Sequence, residues 1–364
     1  MTGRLKVRDR ELGPGLPVFV IAEAGSNHNG ESEMAHRLIE AAAAAGADAV
    51  KFQTFKARRL YPRSAGTSDY LESETPIYDL IRKMEMPPDW LPGLRDHAHE
   101  SGLAFISSPF DEEAVDLLDP HVDAFKIASY ELTHTPLLRA VAGRGKPVLL
   151  STGASRLDEV RGAVDVLREA GCADPVLLQC TAAYPTPPEA ANVRALVTLR
   201  DRFGLMAGLS DHTRDPTAAP MAAAALGAVV IEKHFTLDND LPGPDHAFAV
   251  EPEELGRLVR AVRRVEAVLG SGDKQVHPRE EELRAFARRS LFTIRAVRAG
   301  ERFSRENIDV LRHGQLAAGL APSELGRVLG CVAARDVPTE TALSESDLAP
   351  GGAAGGRSGG ESGE

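Results

Sequence analysis

Eight short apolar runs, each ending in polar residues, most limit what this chain can become. They read PVFVIAEA (17–24), ADAVKFQTF (47–55), LAFISSPF (103–110), AFKIAS (124–129), PVLLSTG (147–153), PVLLQCTA (175–182), LMAGLSDH (205–212) and AVVIEKHF (228–235). Most are continuous rather than alternating, as strands buried on both faces are. Amphipathic helical patterns fill most of the gaps. ESEMAHRLIEAAAAAG ends on Gly46, a candidate C-cap. SRLDEVRGAVDVLREAG opens on a serine able to N-cap and ends on Gly171, and EPEELGRLVRAVRRVEAVLG closes the series. Strands alternating with helices specify βα units and a parallel sheet. Eight units in roughly 250 residues is the size of a TIM (β/α)8 barrel, the α/β fold expected here. An open, doubly wound sheet is the alternative, but eight uniform units favour closure.

The rhythm stops after Gly270. We expect a barrel over 1–271, a charged linker with some helix over 272–289, and a compact unit of short strands and turns over 290–349. The Gly/Ser-rich tail, 350–364, is expected to be disordered. The segment Arg288–Ser290 reads as a solvated linker face.

Composition narrows the partners. The chain has 364 residues, 43% of them hydrophobic, which suffices for a barrel core. Its formal net charge of -11 argues against non-specific nucleic-acid binding, which needs basic patches. A small anionic substrate remains compatible, because local cationic clusters occur inside acidic proteins. Cys172, Cys180 and Cys331 are far apart and show no CxxC spacing, so a reduced, cytoplasmic setting is expected. No apolar run approaches the roughly 20 residues of a membrane span. The N-terminal MTGRLKVRDRELG has no apolar signal core.

A TIM barrel carries its site at the C-terminal ends of its strands. Those ends hold Glu23, then Lys51 and Gln53, Ser107 and Ser108, Lys126 with Ser129 and Glu131, Ser151 and Thr152, Thr181 and Tyr184, Ser210 and His212, and finally Glu232 and His234. Polar strand ends can simply meet solvent. Lys51 and Lys126 are harder to dismiss, because an ammonium inside an apolar strand is costly unless paired. A lone strand-end histidine is more often structural than a ligand. Two at equivalent positions of neighbouring strands, about 4.8 Å apart, can reach one ion. His212 and His234 are therefore candidate ligands for Mn²⁺, Co²⁺, Fe²⁺ or Zn²⁺. Lys51, Lys126, Ser129, Thr152 and Ser210 make a candidate cradle for phosphate and carboxylate. Alternation places Glu232 and His234 on one face of their strand and Lys233 on the other. His28, in SNHNG, either closes a loop or serves the site. From the residues alone, the reading is a metal-assisted barrel enzyme with an anionic, phosphorylated substrate.

The motifs IAEAGSNHNG, GADAVKFQTF, SSPFDEEAV, GKPVLLSTG, CTAAYPTPPE, GLSDHT, IEKHFTLD and RRSLF occur in this order. Together they resemble the sialic acid synthase family, which makes nonulosonic acids, over roughly residues 15–348. The resemblance implies a TIM barrel followed by an antifreeze-like (SAF) domain, in a domain-swapped homodimer. It implies condensation of phosphoenolpyruvate with an N-acylated mannosamine-type aldose, with release of phosphate. It implies a divalent metal ion, Mn²⁺ first and Mg²⁺ or Co²⁺ as others, on His212 and His234. By the same resemblance Lys51 and Lys126 hold phosphoenolpyruvate, and Ser129, Ser151 and Ser210 contact its phosphate. Ser108 falls near its carboxylate. Glu23, Gln53, Glu131, Tyr184 and Asp245 face the sugar, and Arg312 reaches its acyl group across the dimer. Glu23 and Glu232 are the candidate proton carriers. Ala182 stands where some members have Asn, and RHGQLAAGLAP departs from the family's Arg-Pro-Gly turn. SYELTHTPLL and SDHTRDPTAAP also resemble a branch of spore-coat or surface-polysaccharide synthases, for which mannose is an alternative aldose. A shorter aldose, a metal-dependent aldolase and a non-catalytic carbohydrate-binding protein are the other readings.

Overall fold

The computed structural model describes residues 3–67 and 74–350. From residue 351 onward the Gly/Ser-rich tail lies outside the described residues. Contacts divide the chain into two compact units, Met1–Ser271 and Gly272–Glu364.

The first unit is the expected barrel. Its strands are β3 (Phe19–Gly25), β4 (Ala49–Thr54), β5 (Ala104–Pro109), β6 (Ala124–Ile127), β7 (Val148–Ser151), β8 (Val176–Cys180), β9 (Ala207–Asp211) and β10 (Val230–His234). All eight expected strands form, in chain order, and β10 returns to pair in parallel with β3. That seam aligns Val230 with Phe19 and His234 with Glu23, and it excludes the open sheet. Helices follow each strand, as in Ser32–Ala44, which buries Ala35, Leu38, Ile39 and Ala42 at helical spacing. Its expected terminator Gly46 adopts φ +82. The helix expected to start at a serine starts instead at Leu157. Its N-cap is Arg156, whose N–H donates to Glu159, while Ser155 turns its hydroxyl to Gly153 O.

Period-2 alternation divides the barrel interior by height. The lower inward positions are apolar: Phe19 and Ile21, Ala49, Ala104 and Ile106, Ala124, Leu149, Val176 and Leu178, Val230. The next inward positions up the same strands are Glu23, Lys51, Ser108, Lys126, Ser151, Cys180, Ser210 and Glu232. A packed apolar floor thus carries a polar layer. Gly208 permits this packing at β9, because a Cβ there would lie 2.4 Å from Val230 O.

An N-terminal hairpin went unread in the sequence. β1 (Leu5–Val7) and β2 (Arg10–Leu12) pair antiparallel, and Val7 and Leu12 join the interior apolar cluster. They close the lower end of the barrel. Three-residue strands among charged residues leave only a weak alternation in the text.

The second unit has its own core of Leu291, Val297, Phe303, Ile308, Val328, Cys331, Ala333, Val337 and Leu343. Its two-stranded sheet is β11 (Arg289–Thr293) with β12 (Ile308–Arg312). The expected linker contains the helix Glu281–Ala287. The reading of Arg288–Ser290 as a solvated face holds for Arg288 and Arg289, which are exposed, and needs correction at Ser290. Arg289 and Ser290 belong to β11, whose residues from Ser290 to Thr293 are all buried. No helix among the described residues is long and apolar enough to cross a membrane.

Candidate active site

Four ionisable side chains meet above the apolar floor. Lys51 Nζ lies 2.6 Å from Glu23 Oε2 and 3.8 Å from Glu232 Oε1. Lys126 Nζ lies 3.4 Å from that same Glu232 oxygen. All four are almost fully buried, so pairing is what makes their charge tolerable. Two ammoniums and two carboxylates make the layer formally neutral. The carboxylates nevertheless differ. Burial raises the pKa of Glu23, and the nearby Glu232 carboxylate adds to this against the pull of Lys51. Burial would also raise Glu232, but Lys126 and Lys51 together outweigh it and hold its pKa below the usual value. Environments that push two carboxyls apart mark one as a proton carrier and the other as a fixed anion.

Hydroxyls and amides complete the layer. Gln53 Nε2 donates to Glu23 Oε1 at 2.7 Å, and Lys51 Nζ donates to Ser108 Oγ at 3.3 Å. Ser210 Oγ donates to Glu232 Oε1 at 3.1 Å. Ser151 Oγ and Glu232 Oε2 are buried with no hydrogen-bond partner among the described residues. Natural interiors rarely leave such groups unpaired, and a water, an ion or a donor on a ligand is what completes them.

The two histidines stand at the rim. Their ring centroids are 5.2 Å apart, and Tyr184 packs on both, 4.2 Å from His212 and 5.9 Å from His234. His212 Nδ1 faces Thr181 O at 2.8 Å. A carbonyl only accepts, so Nδ1 carries a proton, and Nε2 is the nitrogen left to meet an ion. Backbone-anchored imidazoles of this kind are common metal ligands. His234 is held neutral, its pKa driven well down by burial and by His212 and Lys51. Its Nδ1 is buried without a hydrogen bond, and Asp245 Oδ2 lies 3.7 Å away. Burial pushes Asp245 up to about 6 against the pull of His212 and Lys51. Among the described residues no group of three or more His, Cys, Asp or Glu side chains forms a metal cluster. The donor set suits an ion that takes its remaining ligands from water or substrate.

Some expected residues have other engagements. Glu131 turns to His134, 3.3 Å away, and Thr152 donates its hydroxyl to Leu178 O at 2.9 Å. Arg312 is exposed at the end of β12 in the second unit. Lys233 points outward, as alternation requires, and donates to Asp211 Oδ2 at 2.7 Å, to Thr213 and to Asp215 O. It pins the loop after β9 from behind. His28 closes its own loop: Nδ1 accepts the Gly30 N–H at 3.0 Å, and the ring sits edge-on to Trp90.

Two site residues went unread. His246 bridges Thr236 Oγ1 at 2.6 Å and Asn29 Oδ1 at 3.1 Å, anchoring the loop that carries Asp245. Cys180 lies inward on β8 beside Ser129 and His212. Its position at a strand end was the available signal for Cys180; nothing local marked His246.

Residues 38–274 match the NeuB family, and residues 288–349 match the SAF domain. The chain belongs to the NeuB family. Among relatives of this NeuB-family chain is the spore coat polysaccharide biosynthesis protein SpsE of Bacillus subtilis (strain 168), 41% identical over 94% of this chain and 96% of that protein. Another is the N,N'-diacetyllegionaminic acid synthase of Legionella pneumophila, 39% identical over 91% of this chain and 94% of the relative. The solved structure of an N-acetylneuraminic acid synthetase from Leptospira borgpetersenii, in complex with citrate, superposes with a TM-score of 0.71. It is 31% identical and covers 78% of this chain and 95% of that one.

Proposed function

We propose that the chain condenses phosphoenolpyruvate with an N-acylmannosamine-type aldose, giving a nonulosonic acid and phosphate. One observation carries this reading: two buried lysines and a ring of hydroxyls face two histidines at the mouth of the barrel. Such a layer matches an anion bearing a carboxylate and a phosphate, beside a second substrate whose carbonyl oxygen faces the histidines.

Lys51 and Lys126 neutralise the carboxylate and phosphate, with Ser108, Ser129, Ser151 and Ser210 as hydroxyl donors. Carbon 3 of phosphoenolpyruvate bonds to the aldehyde carbon of the open-chain aldose. Water adds at carbon 2, and the bond from carbon 2 to the phosphate oxygen breaks. Water's second proton leaves with phosphate as the carbon 2 ketone forms, and the proton that water gives up on adding is the one the new alkoxide takes up. Glu23, with its raised pKa, is the group to hold it, while Glu232 stays an anion between the two lysines. Gln53, Tyr184 and Asp245 line the sugar side. Divalent metal, Mn²⁺ first, would be held by His212 and His234 and would supply Lewis-acid polarisation of the aldehyde. Positioning and charge stabilisation account for most of the rate gain. Arg312 is assigned to the acyl group of an aldose held by the partner subunit in a swapped homodimer; a fully active monomer by light scattering would refute that assignment.

The test is phosphate release from phosphoenolpyruvate across a panel of N-acetylmannosamine, its 6-phosphate, mannose and 2,4-diacetamido-6-deoxy hexoses, with products read by mass spectrometry. Release with any of the N-acylated aldoses supports the reaction. Turnover of pyruvate without phosphate release would make the protein an aldolase instead. The similarity to SpsE and the presence of Ala182 favour a second reading, a surface-polysaccharide synthase taking another aldose such as mannose. Product formation from mannose alone would select it.

A further inference from the structure

We infer that Cys180 is a positioning residue that links the phosphate-binding hydroxyl of Ser129 to the metal-binding imidazole of His212. The inference rests on the function proposed above. The link is a chain of hydrogen bonds within the barrel mouth. Gly153 N–H donates to Ser129 Oγ at 3.0 Å. The Ser129 hydroxyl donates to Cys180 Sγ at 3.4 Å. Cys180 Sγ lies 3.8 Å from His212 Nδ1, the nitrogen whose proton also faces Thr181 O. Sulfur thus accepts from the serine and shares the histidine proton with a carbonyl.

The packing leaves this chain little freedom. A Cβ on Gly153 would lie 2.8 Å from Ser129 Oγ and 2.9 Å from Cys180 Sγ. Only glycine lets hydroxyl and thiol meet there. The sulfur is therefore placed by the fold.

An anion bound at Ser129 draws the hydroxyl proton toward itself. Cys180 Sγ then has one donor fewer and holds the His212 N–H more firmly. A firmer hold on Nδ1–H makes Nε2 more electron-rich and a better metal ligand. Anion and metal then bind cooperatively, and linkage makes the effect reciprocal.

The experiment uses the full-length metal-free protein, with free Mn²⁺ read by electron paramagnetic resonance, with and without inorganic phosphate. In the unsubstituted protein phosphate should tighten Mn²⁺ binding by about fivefold, the lower end of measured couplings. Cys180→Ala should reduce that factor toward one while leaving the melting curve cooperative. Cys180→Ser should restore most of it, because the hydroxyl can still bridge Ser129 and His212. Serine and alanine fill nearly the same volume, so a pure packing role would penalise both alike. Equal coupling in the alanine variant, loss of coupling in the serine variant, or no coupling in the unsubstituted protein would each overturn the inference. The proposed condensation is judged separately by phosphate release, since this readout needs neither phosphoenolpyruvate nor an aldose.

Discussion

His28 gives a prediction whose size follows from its surroundings. The side chain is fully buried, its Nδ1 accepts the Gly30 N–H, and its ring meets Trp90 edge-on with centroids 5.5 Å apart. Burial lowers its pKa from 6.5 to about 4. The folded chain therefore keeps His28 neutral across a range in which the unfolded chain protonates it. Where the unfolded state binds more protons, stability rises with pH. The stabilisation is complete above pH 6.5 and is lost as pH falls toward 4, at about 1.4 kcal/mol per pH unit. Between pH 7 and pH 4.5 the loss from this one group is about 2.5 kcal/mol. His28→Leu keeps the volume and removes the titration. It also removes the Gly30 hydrogen bond, a constant cost of about 1 kcal/mol. The variant should therefore be weaker at pH 7 and relatively stronger at pH 4.5, so the two stability profiles cross. Urea unfolding followed by the fluorescence of Trp90, the single tryptophan, reports on this region directly. Parallel profiles, displaced but never converging, would refute the argument.

Four more outcomes test the site and its frame. His234→Ala should abolish Mn²⁺ binding and metal-dependent turnover while circular dichroism stays unchanged; an unchanged rate would remove His234 from the metal site. Glu23→Gln should cost about 10²–10⁴ in kcat, the range of one acid–base group. In the unsubstituted protein kcat should fall on the alkaline side, as Glu23 loses its proton above its raised pKa, and that limb should vanish in the variant. Lys233→Met leaves Asp211 buried and unpaired, and should destabilise the barrel by about 3–5 kcal/mol in urea unfolding. Leu12→Ala at the barrel floor should cost about 2–5 kcal/mol with KM unchanged; an unchanged midpoint would show that the hairpin does not plug the barrel.

The barrel was legible because its strands are buried on both faces. That burial demands continuous apolar runs, and polar residues at inward positions near the strand ends are exceptions that mark the site. Lys51, Lys126 and Glu232 were visible for this reason, as was the outward turn of Lys233. The pairing among them was not visible. Whether Glu232 meets Lys51, Lys126 or both depends on the stagger of three non-adjacent strands, which no local pattern carries. His246 was missed because its partners Thr236 and Asn29 meet only after the ring closes. Thr152 looked like a ligand donor, yet its hydroxyl already donates to Leu178 O on the neighbouring strand. The hairpin β1–β2 was missed because its strands are too short to show a period.

The seam between β10 and β3 sets a timetable for the ribosome. It pairs His234 with Glu23, and just beyond it Asn27 donates to Phe235 O, 208 residues further along. At about 5–20 residues per second, about 10–40 seconds separate the synthesis of one side of the seam from the other. Throughout that interval Glu23 and Lys51 have emerged without Glu232, and the first strand offers an unpaired edge. A chain stopped before β10 is therefore no partial catalyst. It is an open sheet with an uncovered floor and half of an ion network, a substrate for chaperones until the last strand arrives.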